Sequence, residues 1–117
     1  MIRLKRAYEP AASDDGKRFL VDRVWPRGVT KDELQIDEWL RDVAPSTELR
    51  KWFGHDPTRW NEFQRRYRQE LAPHQDALAP LLEAARRGNV TLVYGARDEQ
   101  HNQAVALKHV LDEQLAK

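Results

Sequence analysis

Residues 90–94 read VTLVY, five positions without a charge, three of them β-branched. So short an apolar run fits a strand covered on both faces, which is the environment of a parallel sheet layered with helices. The rest of the chain supplies such partners. Ile2 and Leu4 alternate with Arg3 and Lys5, the pattern of a strand with one wet face near a sheet edge. FLVDRVW, residues 19–25, is more apolar and reads as a more central strand.

Between the second and third strands the sequence is punctuated by helix signals. Thr30 and Glu33 form a T-x-x-E capping box, so a helical turn starts at Lys31. Asp37 is placed to cap a second short helix through Trp39, Leu40 and Val43, stopped by Ala44-Pro45. Ser46 caps STELRKWF with Gly54 as its exit, and Asp56-Pro57 repeats the pattern of a cap followed by proline. Trp60, Phe63, Tyr67 and Leu71 then fall on one helical stripe. A further helix from about His74 to Arg87 buries Leu78, Leu81, Leu82 and Ala85. A last one from about Glu99, with Asp98 as its cap, turns Ala104, Leu107, Leu111 and Leu115 inward. The expected fold is α/β, a small, mostly parallel sheet of about three strands flanked by helices, in one domain spanning residues 1–117. The connection over residues 9–17 is short for a crossover, which leaves the direction of the first strand open.

Composition narrows the function classes. With no cysteine, disulfides, thiolate metal sites and a cysteine nucleophile are excluded, and a reducing cytoplasm is the expected setting. The opening MIRLKRAYEP has no apolar h-region and no run approaches a membrane span, so a soluble, unprocessed chain without a membrane partner is expected. Twenty basic groups against 19 acidic ones give no general field for nucleic acid, so any such binding must come from a local patch. Helical Arg65, Arg66, Arg68, Arg86 and Arg87 are that patch, although Glu62, Glu70 and Glu83 stand at salt-pairing distance along the helices.

In parallel α/β sheets, ligands gather beyond the carboxyl ends of the strands. Two segments leave strands and enter helices, DRVWPRGVTK and YGARDEQHN. If their strands are parallel neighbours, the two loops face each other. The first offers Asp22, Arg23, Trp25, Arg27 and Gly28; the second offers Arg97, Asp98, His101 and Asn102. Guanidinium groups beside a glycine turn suit a small anion, phosphate-bearing ligands included. His101 is the candidate acid or base, Asp22 the group that would orient a partner, and Trp25 and Trp52 could wall the pocket. No phosphate loop or other cofactor motif is present, and no cofactor is expected. His55, Asp56, Asp98 and His101 can be assembled on paper around a metal but lack regular ligand spacing, so none is expected there either. The alternatives to an anion pocket are nucleic-acid association through the helical arginines and a non-catalytic adaptor with an exposed apolar patch near the tryptophans.

VDRVWPRGVTK, WLRDVAPSTELRKWFGHDPTRW and VTLVYGARDEQHNQA together resemble the YeaO-like family of small bacterial proteins, a branch of a larger domain-of-unknown-function family. The resemblance spans nearly the whole chain. It implies an α/β domain with parallel strands, in which larger relatives have an Asp-Arg step with a nearby proline where this chain has Asp22, Arg23 and Pro26. It implies no activity, substrate or cofactor. Those relatives tend to have a Cys-His-Arg step after the last strand; here residues 98–102 read DEQHN, so thiol chemistry does not transfer.

Overall fold

The computed structural model describes residues 1–117. Four strands, β1 (Ile2–Arg6), β2 (Lys17–Leu20), β3 (Glu38–Trp39) and β4 (Val90–Tyr94), form one sheet in the order β1-β4-β2-β3. Every pairing is parallel, with Leu4 opposite Leu92 on one side of β4 and Phe19 opposite Leu92 on the other. The VTLVY segment is therefore the second strand from the edge, flanked on both sides and buried throughout. The sheet has four strands where the hydrophobic pattern shows three, because β3 is only two residues long.

Side chains alternate across the pleat. Phe19, Val21, Val90, Leu92 and Tyr94 point into the main core, which a run of helices closes: α2 (Thr47–Phe53), α3 (Trp60–Leu71), α4 (Gln75–Arg87) and α5 (Gln103–Leu115). Leu20 and Val93 point the other way, into a small cluster with Ala7 and Leu34 under Trp25, Val29, Ile36 and Trp39. That second face is covered by the segment around α1 (Lys31–Leu34) and by the β1–β2 connection.

The predicted helix ends largely hold. Thr30 Oγ1 accepts from Glu33 N while Glu33 accepts from Thr30 N, and Ser46 Oγ accepts from Leu49 N. Gly54 closes α2 in the left-handed region at φ 55°. Phe63, Tyr67 and Leu71 are buried along α3, with Trp60 half-buried at its start.

Three expectations are corrected. Asp37 does not cap a helix: its carboxylate accepts Arg18 N at 2.8 Å, and Glu38–Trp39 pairs with Phe19–Leu20 as β3. A residue that docks beside an exposed strand edge is governed by that edge and not by its own local pattern. The strand predicted over 19–25 ends at Leu20, so Asp22 and Arg23 lie beyond it. The last ladder bond runs from Val21 N to Val93 O, after which Asp22 Oδ2 takes Gly95 N at 2.8 Å. The last helix starts at Gln103, capped by Asn102, whose Oδ1 accepts Val105 N; Asp98 instead closes the preceding turn.

The first strand is parallel to β4 and the β1–β2 connection passes across β4 in residues 7–16, shorter than the usual crossover. A polar knot does the work of a packed helix. Asp15, 2% exposed, accepts from Ala12 N, Lys5 Nζ and Arg18 Nη1. Arg18, 4% exposed, spends its other guanidinium donors on Leu34 O and Gln35 O. Next to it Gly16 adopts φ 66°, and a Cβ there would stand 2.0 Å from Asn89 O, so only glycine lets the connection lie against the start of β4.

Candidate functional site

Because β2 and β4 are parallel neighbours, the two loops that leave them emerge on the same rim, and the structure joins them directly. Asp22 Oδ2 accepts Gly95 N, and Asp22 Oδ1 accepts the Gln103 side-chain amide from the first turn of α5. Arg6, at the end of β1, donates to Ala96 O at 2.8 Å and lies 5.0 Å over the Tyr8 ring, while Tyr8 OH donates to Arg27 O. Three strand ends are thus tied around one hollow.

That hollow is a cleft of about 520 Å³. Of the residues expected at a site, Asp22, Arg23, Trp25, Arg27, His101 and Asn102 line it. Gly28, Arg97 and Asp98 do not. Gly28 makes the left-handed turn behind Arg27 at φ 78°, and Arg97 is exposed outside the cleft. Asp98 acts one step removed: its Oδ2 lies 2.9 Å from His101 Nδ1, and its Oδ1 accepts Gln100 N and His101 N. The Gln100 N–H, ahead of the His101 ring, holds the Asp98 carboxyl below its ordinary value. With Nδ1 so engaged, and the ring set edge-on to Trp60 with centroids 5.4 Å apart, His101 has Nε2 left for a ligand.

Arg23 is committed to the protein, since its guanidinium donates to Ala44 O and Pro45 O and holds the entrance to α2 in place. Trp25 donates its indole N–H to Val29 O and meets Trp39 edge-on at 5.5 Å, so the ring is fixed at the cleft wall. Trp52 is not in the wall. It turns toward α3, with Arg66 at 4.2 Å and Arg59 at 5.3 Å from its ring, because the cleft-facing positions of α2 are Thr47, Arg50 and Lys51.

Those three residues, with Tyr8, His55 and Gln103, are what the sequence reading missed as a group. Thr47, Arg50 and Lys51 do share an i, i+3, i+4 stripe opposite buried Leu49 and Phe53, a signal that shows a polar face but not what it looks at. His55 reaches the cleft because Gly54 and His55 are both left-handed, φ 55° and 57°. No three His, Asp or Glu side chains come close enough to hold a metal ion; Asp56 is occupied by Thr58 N and Thr58 Oγ1.

The charge balance of the cleft is one-sided. Asp22 is the one carboxylate in its lining, against Arg23, Arg27, Arg50 and Lys51 and two histidines. Burial pushes the Asp22 carboxyl up to about 6, against the opposing pull of the Gly95 N–H, the Arg50 cation and the Gln103 amide. By contrast, four of the five helical arginines are ion-paired: Arg65 and Arg66 share Glu62, Arg68 pairs with Glu113 and Arg87 with Glu83.

Across residues 1–117 the chain matches the family model described as "Inactive DUF488-N3 subclade". The protein belongs to this DUF488 subclade. Among curated relatives, it is 42% identical over 106 residues to "Uncharacterized protein YeaO" of Escherichia coli K12, covering 91% of this chain and 92% of that one. It is 44% identical over 112 residues to "Uncharacterized protein Rv3073c" of Mycobacterium tuberculosis, covering 95% and 93%. No solved structure matches it. None of its helices is long and apolar enough to cross a membrane.

Proposed function

We propose that this DUF488 domain binds a small anionic ligand, phosphate-bearing or similar, in the cleft at the carboxyl ends of β2 and β4, and that it does so without turning the ligand over. One observation supports this above the rest. Arg27, Arg50 and Lys51 line a single hollow with no carboxylate paired to them, whereas Arg59, Arg65, Arg66, Arg68, Arg87 and Lys108 elsewhere on the helices are each ion-paired. Cations gathered without counter-charge favour an anion from solution, and guanidinium groups offer two-point contact to phosphate or carboxylate. Asp22 organises the floor by fixing Gly95 and Gln103, and His101, oriented by Asp98, supplies a ring nitrogen as a further contact. Binding rather than catalysis is favoured by the family's description as inactive.

The test is an amide-shift titration of the protein with inorganic phosphate at pH 7. Saturable shifts at residues 22–27, 47–51, 95 and 101–103 are expected, with affinity falling at least tenfold in Arg50→Ala and in Lys51→Ala. Shifts that never saturate, or affinity untouched by both substitutions, overturn the reading. The nucleic-acid alternative has less support, because four of its five arginines are already paired to glutamates.

A further inference from the structure

We infer that the ligand of this cleft is an aromatic anion: a planar apolar body with a phosphate or carboxylate group attached, and not a bare inorganic ion. The inference rests on the anion reading and extends it to the class of molecule.

Three observations lead there. First, size: about 520 Å³ lies in the range of clefts that enclose whole organic ligands, roughly 300–1,000 Å³, and far exceeds what one phosphate needs. Second, apolar exposure is concentrated at this mouth. Only three large hydrophobic side chains in the protein are well exposed, and apart from the terminal Met1 they are Tyr8 (50%) and Val24 (58%), both in the cleft lining. A soluble domain gains by covering such groups, and apolar surface left at a concave site marks where a partner's apolar surface goes. Third, the exposed apolar groups and the α2 cations come from different elements, with Arg23 and Arg27 the cations that share the apolar loop. Arg50 and Lys51 come from α2 and His55 from the turn after it, whereas Tyr8, Val24, Trp25 and Pro26 come from the ends of β1 and β2.

The aromatic side is also rigid. The Tyr8 hydroxyl is anchored on Arg27 O with Arg6 against the ring, and Trp25 is anchored on Val29 O against Trp39. Rings held in this way lose little freedom when a second planar group lies against them, so they act as a platform and not as a flexible cover. A ligand with its anionic end toward α2 and its ring toward Tyr8, Val24 and Trp25 would satisfy both sides at once.

The experiment compares three probes on the intact protein by calorimetry: inorganic phosphate, 1-naphthyl phosphate and uncharged 1-naphthol, with 1-naphthoate as a fourth arm to separate phosphate from carboxylate preference. The expected result is 1-naphthyl phosphate or 1-naphthoate binding at least tenfold more tightly than inorganic phosphate and than 1-naphthol. Val24→Ser should remove at least threefold of that gain while leaving inorganic phosphate binding unchanged, since Val24 is exposed and its substitution does not threaten the fold; Tyr8→Ala, which also frees Arg27 O, should lower the ratio of aromatic to inorganic anion affinity at least threefold. Lys51→Ala should weaken every anionic probe and spare 1-naphthol. If the aromatic and inorganic anions bind equally, or if neither Val24→Ser nor Tyr8→Ala changes their ratio, the aromatic inference is overturned and the anion reading stands. If 1-naphthol binds as tightly as its phosphate ester and Lys51→Ala has no effect, the anion reading itself has failed, and this inference with it.

Discussion

Replacing Asp22 by asparagine should make the protein more stable at neutral pH, which is unusual for a buried carboxylate that accepts two hydrogen bonds. Burial lifts the folded-state carboxyl from 3.8 to about 6 even though Gly95 N–H, Arg50 and Gln103 all favour its ionised form. The group therefore binds a proton more tightly folded than unfolded, and stability falls as pH rises through that interval. At about 1.4 kcal/mol for each pH unit, the full interval is worth about 3 kcal/mol, of which about 2 kcal/mol falls between pH 4 and pH 7.5. Asparagine cannot ionise; its Oδ1 can still accept Gly95 N, and its amide can donate to Gln103 once that side chain turns over. Urea unfolding of both proteins, followed by tryptophan fluorescence, should show the variant's advantage growing by about 2 kcal/mol from pH 4 to pH 7.5. A stability difference independent of pH, or a carbon-13 titration placing the Asp22 carboxyl near 4, would refute the reasoning. The same substitution should tighten sulfate binding at pH 7.5 and leave it nearly unchanged at pH 5, because the negative charge it removes faces the cleft.

The polar knot under the sheet should be costly to break. Asp15→Ala leaves the Arg18 guanidinium buried without its carboxylate and should cost about 3–5 kcal/mol in urea unfolding, whereas Arg68→Ala, at a surface pair with Glu113, should cost less than about 1 kcal/mol. Gly16→Ala and Gly28→Ala make a matched pair, both at positive φ. The second, with open space at its Cβ, should lose about 1–2 kcal/mol, and the first, colliding with Asn89 O, should lose clearly more, read as the difference in thermal midpoint.

The features that were legible in the sequence are those set by neighbours in the chain. Thr30 with Glu33, Ser46 with Leu49, and Gly54 are local devices, and each does in the structure what its residue type allows. VTLVY announces its burial because a strand covered on both faces has no polar alternation to disguise. What could not be read depends on contacts distant in the chain. Glu38–Trp39 becomes a strand only because the edge of β2 is vacant, and nothing in the order Asp-Glu-Trp-Leu encodes that. Asp98 and Asn102 are both good caps four residues apart, and the choice of Asn102 follows from Asp98 being engaged by Gln100 and His101. The cleft shows the same division: the loops after β2 and β4 were visible as strand exits, while the contribution of α2 required knowing which way Arg50 and Lys51 face.

The strand order has a consequence for how this chain is born. β1 and β2 do not touch each other; each finds its ladder on β4, whose residues are 90–94 of 117. Until the ribosome has released that segment, β1 has no strand to zip onto and β2 has only the two residues of β3, so the helices made in between have no complete floor to land on. Assembly must therefore wait for this keystone, and a chain cut short before residue 90 cannot build its sheet around β4.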